Sequence, residues 1–321
     1  MQPAAMETGA SLPPRARSLD RFRLFAWGVL AYNLAVILWG ALVRATGSGA
    51  GCGGHWPLCN GDVLPEISQS ATVIEFTHRV MSGAALIAVV ALFGWAWKVL
   101  PRRHPARRWA AWSLVFICSE ALIGASLVLL GHVARNESVG RVYSLAIHLV
   151  NTFLLLACLA LTAWRAPDPI PASPLRPLSP GQRWSIATAL AAVIAVAVAG
   201  AITALGDTLF PASSLAQGVA DDFAATANFL IRLRVVHPML AVLAGVYLAT
   251  LAAPEYRARR APHLRALSGW LLALVVTQMI AGGVSVLLGA PIWMQLIHLL
   301  VADLVWITLV LFANERLRQA G

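Results

Sequence analysis

The segment EALIGASLVLLG, residues 120–131, returns 158 residues later as QMIAGGVSVLLG, residues 278–289. A second pair, GALVRATG (40–47) and GAITALG (200–206), has nearly the same spacing. Two further pairs contain histidine, FTHRV with RVVHPM and LAIHLVN with QLIHLLV. Segments that recur at a fixed spacing indicate a duplicated structural unit. The sequence therefore predicts a chain built from two similar halves.

The composition is that of a membrane protein, because 59% of the 321 residues are hydrophobic and only 12% are charged. Eight apolar runs reach about 20 residues, enough to cross a hydrocarbon core of about 30 Å. They lie at 24–44, 73–97, 109–131, 142–164, 184–205, 231–252, 266–289 and 293–313. The prediction is an all-α polytopic membrane protein with eight transmembrane helices. Its two four-helix bundles are expected to be related by a pseudo-two-fold axis.

The net charge of +10 follows a topological pattern, since 18 of the 24 Lys and Arg residues fall on one side of the membrane. By the positive-inside rule this side is the cytoplasm, and both termini lie there. The charge is explained without a nucleic-acid partner, and membrane lipid is the expected surrounding. The loops 45–72, 132–141, 206–230 and 290–292 are predicted to face outward.

The predicted organisation has five parts. A disordered cytoplasmic tail (1–23) precedes the N-terminal half (24–164), and a cytoplasmic linker rich in Pro and Ser (165–183) leads to the C-terminal half (184–313) and a cytoplasmic tail (314–321). The outward loop 206–230 is long enough for a folded cap over the second half.

Two of the four cysteines, Cys52 and Cys59, lie in the first outward loop. In an oxidising compartment the default for such a pair is a disulfide. The alternative is a metal site that also uses His55, although two Cys and one His fall short of a closed four-ligand site.

Four histidines, His78, His148, His237 and His298, lie within predicted helices, each five or six residues from the outward end. At about 1.5 Å per residue all four are about 8 to 9 Å deep. Ionisable residues inside a membrane are costly and indicate function. The arrangement favours one His pair per half, holding haem between facing helices. Interhelical hydrogen bonds and a zinc or copper site are the alternatives.

Five arginines near the outer rim are candidates to pair with haem propionates, and snorkelling to the interface is their alternative role. They are Arg44, Arg79, Arg141, Arg232 and Arg234.

The halves differ three residues before the first His of each, where the sequence has Glu75 in one half and Arg234 in the other. Glu75 shares a helix face with His78 and is placed to exchange a proton at a bound porphyrin, or it pairs with Arg79 at i+4. The acid and the Cys pair both belong to the first half. This half is therefore predicted to perform chemistry, and the second to hold an electron-transfer haem.

Four other buried polar residues are expected to be interhelical hydrogen-bond partners rather than catalysts. They are Glu120, Asn151, Gln278 and Asp303.

Taken together, GALVRATGSGAGCGGHWPLCNG, EFTHR, LAIHLVN, GDTLFP, RVVHP and IHLL occur in this order on eight predicted helices. The chain resembles the haem A synthases of bacterial and mitochondrial inner membranes from about residue 24 to 313. The resemblance implies oxidation of the C8 methyl of haem O to a formyl group, giving haem A for the terminal oxidase. It also implies a bacterial cell inner membrane location.

The resemblance further implies that His78 and His148 ligate the substrate haem O, that Glu75 is the catalytic acid, and that His237 and His298 ligate a haem b cofactor. Cys52 and Cys59 match the Cys pair that some members carry. A haem O-producing enzyme and an electron donor are expected partners, and a homo-oligomer is a further expectation. The alternative function is a di-haem b membrane electron-transfer cytochrome. A transporter fits less well, because these His lie near one rim in unbroken segments.

Overall fold

The computed structural model describes residues 14–66, 69–168, 179–224, 226–258 and 261–319. Within them it contains helices α1 (Pro14–Ala45), α2 (Ser70–Val99), α3 (Pro105–Leu129), α4 (Val139–Arg165), α5 (Pro180–Leu209), α6 (Leu215–Phe223), α7 (Phe229–Arg232), a 3-10 turn (Leu233–Val235), α8 (Val236–Ala258), α9 (Pro262–Leu287) and α10 (Ile292–Gln319). Eight spans in these residues are long and apolar enough to cross a membrane. The predicted all-α fold is confirmed, and the chain is a multi-pass membrane protein.

The repeated LLG sequences end two helices in the same way. Gly131 after α3 and Gly289 after α9 have φ angles of +65° and +72°, a region that glycine enters without steric cost. In each case the next amide bonds back to the carbonyl five residues earlier, at 2.8 and 2.7 Å. This is the Schellman pattern, which satisfies the last carbonyls of a helix. The sequence repeat therefore encodes a repeated helix end.

The helices of each half pack in a ring. In the first half α1 contacts α2, α2 contacts α3, α3 contacts α4, and α4 contacts α1. In the second half the corresponding ring is α5, α8, α9 and α10. A ring of this kind places α2 across from α4 and α8 across from α10, and these are the four helices with the predicted His ligands. A pseudo-two-fold axis would produce this pattern, and the axis itself stays a prediction.

The halves meet through α1, α4, α5 and α10. Helices α4 and α10 are the most buried of the spans. Where they meet, Phe153 and Trp306 stack with ring centroids 5.0 Å apart, and Trp306 Nε1 donates to the Phe153 carbonyl at 2.7 Å. A buried indole N–H needs such an acceptor. The two bundles therefore share one interior.

The helices extend beyond the predicted apolar runs. Helix α1 begins at Pro14, so residues 14–23 of the predicted tail belong to a helix, while residues 1–13 lie outside the described residues. Helix α10 continues to Gln319, through most of the predicted tail. Phe22 is fully buried and Arg316 pairs with Glu255 at 3.1 Å, which explains why these ends are ordered.

The connections between the spans agree with the sequence only in part. Helix α6 lies within residues 206–230, where a folded cap was predicted. Part of the predicted linker, residues 169–178, lies outside the described residues.

Candidate functional site

The two histidines of the second half lie next to each other. The rings of His237 on α8 and His298 on α10 have centroids 6.3 Å apart and planes at 89°. His237 Nδ1 lies 3.1 Å from the Val196 carbonyl, which leaves Nε2 for a ligand. A metal–imidazole bond is about 2 Å long, so a single ion fits between rings at this separation. The pair fits axial ligation of a haem iron.

Glycines make room for three of the four rings. A Cβ atom at Gly40 on α1 would lie 2.9 Å from His78 Cε1, and one at Gly200 on α5 would lie 2.8 Å from His237 Cε1. A Cβ at Gly282 on α9 would lie 3.1 Å from His298 Cε1. The imidazoles therefore rest against neighbouring helices at positions where a larger residue would displace them. These glycines were not predicted as site residues, although all three lie in the repeated segments.

The nitrogen atoms of the histidines are incompletely satisfied. Nδ1 of His78, His148 and His298 is buried and has no hydrogen-bond partner among the described residues. A buried polar atom without a partner costs about 1 to 3 kcal/mol, so such atoms are expected where another group binds. The unpaired nitrogens and the glycine contacts are compatible with bound haem, and haem ligation by the four histidines stays a prediction.

One polar residue on the helix between the two His helices of each half approaches the second histidine. Glu120 on α3 lies 3.6 Å from His148 Nδ1, and Gln278 on α9 lies 3.2 Å from His298 Nε2. Glu120 accepts hydrogen bonds from Asn151 and Thr152 on α4, both at 2.5 Å. The predicted interhelical role is confirmed for Glu120, Asn151 and Gln278.

For Asp303 the same expectation is wrong. Its side chain is fully buried, and neither carboxylate oxygen has a hydrogen-bond partner among the described residues. The sequence shows a polar residue at an interior position, but it does not show whether a donor lies opposite.

Glu75 connects helix α2 to the loop between α1 and α2. Its Oε2 accepts a hydrogen bond from the Cys52 amide at 2.8 Å, and its Oε1 accepts one from Arg79 Nη2 at 2.6 Å. Arg79 Nη1 in turn donates to the carbonyls of His55 and Leu58, each at 2.6 Å. The ion pair that the i+4 spacing allowed is therefore present. Both side chains fasten the loop to the rim of the first bundle.

The loop itself is closed by the Cys52–Cys59 disulfide, with an S–S distance of 2.00 Å and both cysteines buried. The predicted disulfide is confirmed. Gly51 lies so close to α2 that a Cβ there would be 2.4 Å from the backbone of Ala71. Thr72 Oγ1 also donates to the Gly51 carbonyl at 2.8 Å. The loop is packed onto the beginning of α2 rather than extended into solvent.

Arg234 holds the outer segment of the second half to its bundle, as Glu75 does in the first half. It pairs with Asp207 at the end of α5 and with Asp222 on α6, both at 3.0 Å. Burial raises the pKa of Asp222, and the charge of Arg234 opposes this rise. Position 75 and position 234 thus each hold an outer element to the bundle, with opposite charge. In the sequence, the loop 206–230 has three Asp and no Lys or Arg, a composition that indicates a basic partner for this loop elsewhere in the chain.

The remaining predicted arginines also have defined surroundings. Arg44 Nη1 donates to the Ala204 carbonyl at 2.6 Å and to Thr208 at 2.9 Å, and its Nη2 donates to Gln295 at 2.8 Å. Arg141 Nη1 donates to two carbonyls of its own loop, at 2.6 and 2.8 Å. Arg232 is exposed. Four of the five arginines therefore bond to protein groups, and propionate pairing stays a prediction.

The chain is similar to known proteins over most of its length. It matches the family described as cytochrome oxidase assembly protein over residues 23–73 and 66–310. It is 46% identical over 303 residues to a protoheme IX farnesyltransferase of Thermus thermophilus, a match that covers 94% of this chain and 49% of that protein. The chain thus spans about half the length of this relative.

Heme A synthases are also similar to the chain over shorter stretches. The protein of Bacillus licheniformis is 43% identical over 98 residues, which are 30% of this chain and 32% of that protein. The protein of Bacillus mycoides is 38% identical over 126 residues, which are 39% of this chain and 40% of that protein.

Proposed function

Because the chain belongs to the haem A synthase family, we propose that it makes haem A by oxidising the C8 methyl group of haem O to a formyl group. Haem A would then serve the assembly of a terminal oxidase. The observation that carries this proposal is the conjunction of the family match with a His pair of haem-ligating size, 6.3 Å between ring centroids. The match to the Thermus relative covers 49% of that protein, so farnesyl transfer is not part of the proposed function.

In the second half, His237 and His298 would hold a resident haem b. When bound, this group supplies one-electron transfer, and the protein supplies its ligands and its surroundings. The Val196 carbonyl keeps the His237 ring in one orientation through Nδ1. Gly200 and Gly282 let the two rings lie close to the neighbouring helices.

In the first half, His78 and His148 would bind the iron of the substrate haem O. Gly40 on the neighbouring helix leaves space for the His78 ring. Glu75 is the proposed catalytic residue, because it lies one turn from His78 towards the outer rim and is 3% exposed. If haem O is bound by this His pair, a buried carboxylate one helical turn from its ligand is suited to proton exchange. Its contacts with Cys52 and Arg79 fix its position and keep bulk water away.

The expected surroundings follow from the same proposal. The chain would lie in a bacterial inner membrane with both termini in the cytoplasm, in agreement with the distribution of its basic residues. A haem O-producing enzyme would supply the substrate. In Thermus, a protein named for farnesyl transfer to protohaem contains a region similar to this chain. An electron donor and a homo-oligomer complete the proposed partners, and propionates would meet the rim arginines.

The test compares Glu75→Ala, Glu75→Gln and Glu66→Gln in cells that supply haem O, followed by extraction and mass analysis of the pigments. Gln at position 75 keeps an acceptor for the Cys52 amide but not the proton chemistry, so both Glu75 variants should lose haem A. Each should keep haem b, since His237 and His298 are untouched. Glu66 is exposed in the same loop and serves as the control. Normal haem A in Glu75→Gln would refute the catalytic role.

The pigments extracted from the wild-type protein also test the alternative function. A di-haem b electron-transfer cytochrome would contain two unmodified haems in the wild type and would produce no haem A. Recovery of haem A from the wild-type protein excludes that alternative.

A further inference from the structure

A positively charged cavity lies at the end of the first bundle that is opposite the disulfide loop. It has a volume of about 690 Å³ and opens where α2 passes into α3. We call it the arginine cavity, and its wall includes Trp97, Arg102, Arg103, His104, Arg107 and Arg108. None of the residues proposed to hold haem lies in it.

The four arginines of the cavity have no carboxylate partner within the part of the chain that the structure describes. Asp168 approaches the wall through its backbone carbonyl, which lies 2.8 Å from His104 Nε2. Its carboxylate is already bound by Arg165 and by Arg318. The cavity therefore has an unbalanced positive charge.

Aromatic residues continue from the cavity along α2 and α3, beginning with Trp97 in its wall. Arg107 lies over the Trp97 ring at 4.2 Å, and Trp97 in turn packs on Phe93 at 4.2 Å. On α3, Trp112 and Phe116 stack at 5.9 Å. Trp97 and Trp112 are 41% and 47% exposed. Tryptophan is typical of the level where lipid headgroups meet acyl chains, so the cavity lies at headgroup depth.

We propose that the arginine cavity binds the phosphate of an anionic phospholipid, with the acyl chains lying along the aromatic surface of α2 and α3. Guanidinium groups match phosphate with paired, charge-assisted hydrogen bonds. Basic pockets between transmembrane helices on the cytoplasmic side commonly bind such headgroups. The buried ring of His104, which also accepts a hydrogen bond from the Ala106 amide at 3.2 Å, keeps the wall in shape.

The second half differs at the matching turn. RRHPARR (102–108) aligns with RRAPHLR (259–265), where Ala261 replaces His104 and Leu264 replaces Arg107. There Arg265 lies over Tyr256 at 5.4 Å. The proposal is therefore confined to the turn of the first half, because His104 and Arg107 are replaced by apolar residues at the matching positions of the second half.

The experiment uses the full chain in nanodiscs of phosphatidylcholine with a minor fraction of phosphatidylglycerol, and counts retained lipids by native mass spectrometry. Wild type should retain phosphatidylglycerol in preference to phosphatidylcholine. Arg102→Gln/Arg103→Gln should lower this retention roughly tenfold, because each basic residue near a headgroup contributes to binding. The control, Arg257→Gln/Arg265→Gln, removes the same charge on the same side and should retain the lipid. Haem content and elution volume verify folding of each variant.

Equal retention by the two double variants, or equal retention of both lipids by the wild type, overturns the proposal. Inorganic phosphate is added in a separate arm. Failure of phosphate to displace the lipid supports a lipid ligand, whereas full displacement by phosphate shows a site for the free ion and overturns it.

Discussion

Gly282 and Gly124 occupy the same place in the repeat but have different neighbours. A Cβ at Gly282 would lie 3.1 Å from His298 Cε1, whereas one at Gly124 would meet nothing within 4 Å. We expect Gly282→Ala to displace the His298 ring and to lower the haem b content of the purified protein severalfold. Gly124→Ala is the matched control and should keep the wild-type visible spectrum. Equal spectra for both variants would show that the ring has room to shift.

Asp303 is the least compensated buried side chain among the described residues, since neither of its oxygens has a partner. Replacing an unpaired buried polar group by an apolar one removes a penalty of about 1 to 3 kcal/mol. We therefore expect Asp303→Val to raise the thermal unfolding midpoint in detergent, while Asp303→Asn leaves it nearly unchanged. A fall in both variants would mean that the carboxyl has a partner in the working protein.

At the scale of the element, the beginning of α3 depends on the His104 ring, whose Nδ1 accepts from the Ala106 amide. Burial lowers the pKa of His104 from its usual 6.5. The unfolded chain therefore takes up the proton first, and stability is complete above about pH 6.5 and decreases below it. From about pH 7.5 to about pH 5.5, the wild-type unfolding midpoint should fall more than that of His104→Asn, which keeps a capping side chain. Parallel curves for the two proteins would contradict this.

The helices also show which parts of the structure could be predicted from the sequence. Runs of about 20 apolar residues were enough to find the eight spans, because a single segment of this length satisfies its backbone inside lipid as a helix. Their ends were missed, as at Pro14 and Gln319, because hydropathy marks the apolar part of a helix and not its charged continuation. Equal depth in the repeat identified the four histidines as candidates. The partners of Glu75 and Arg234 were not predictable, since they depend on how the outer loops fold.

At the scale of the molecule, Arg44 joins the two halves. It extends from α1 to acceptors on α5 and α10, among them the carbonyl of Ala204, its own counterpart in the repeat. Arg44→Met would remove three hydrogen bonds from a charged donor, and we expect a loss of about 2 to 4 kcal/mol in unfolding free energy. Arg135→Met, at an exposed arginine on the same side, should leave stability unchanged. Unaltered denaturant midpoints in Arg44→Met would show that the halves associate without this contact.

The stacked pair Phe153 and Trp306 has a consequence for kinetics. It ties together α4 and α10, the two helices that carry His148 and His298. The rate of electron tunnelling between two centres falls exponentially with their separation, so even small breathing motions between the bundles would make the rate fluctuate. An aromatic stack with a 2.7 Å hydrogen bond suppresses such motion. If the proposed haems occupy their sites, the contact between Phe153 and Trp306 keeps the distance between the haems constant, and with it the rate of electron transfer.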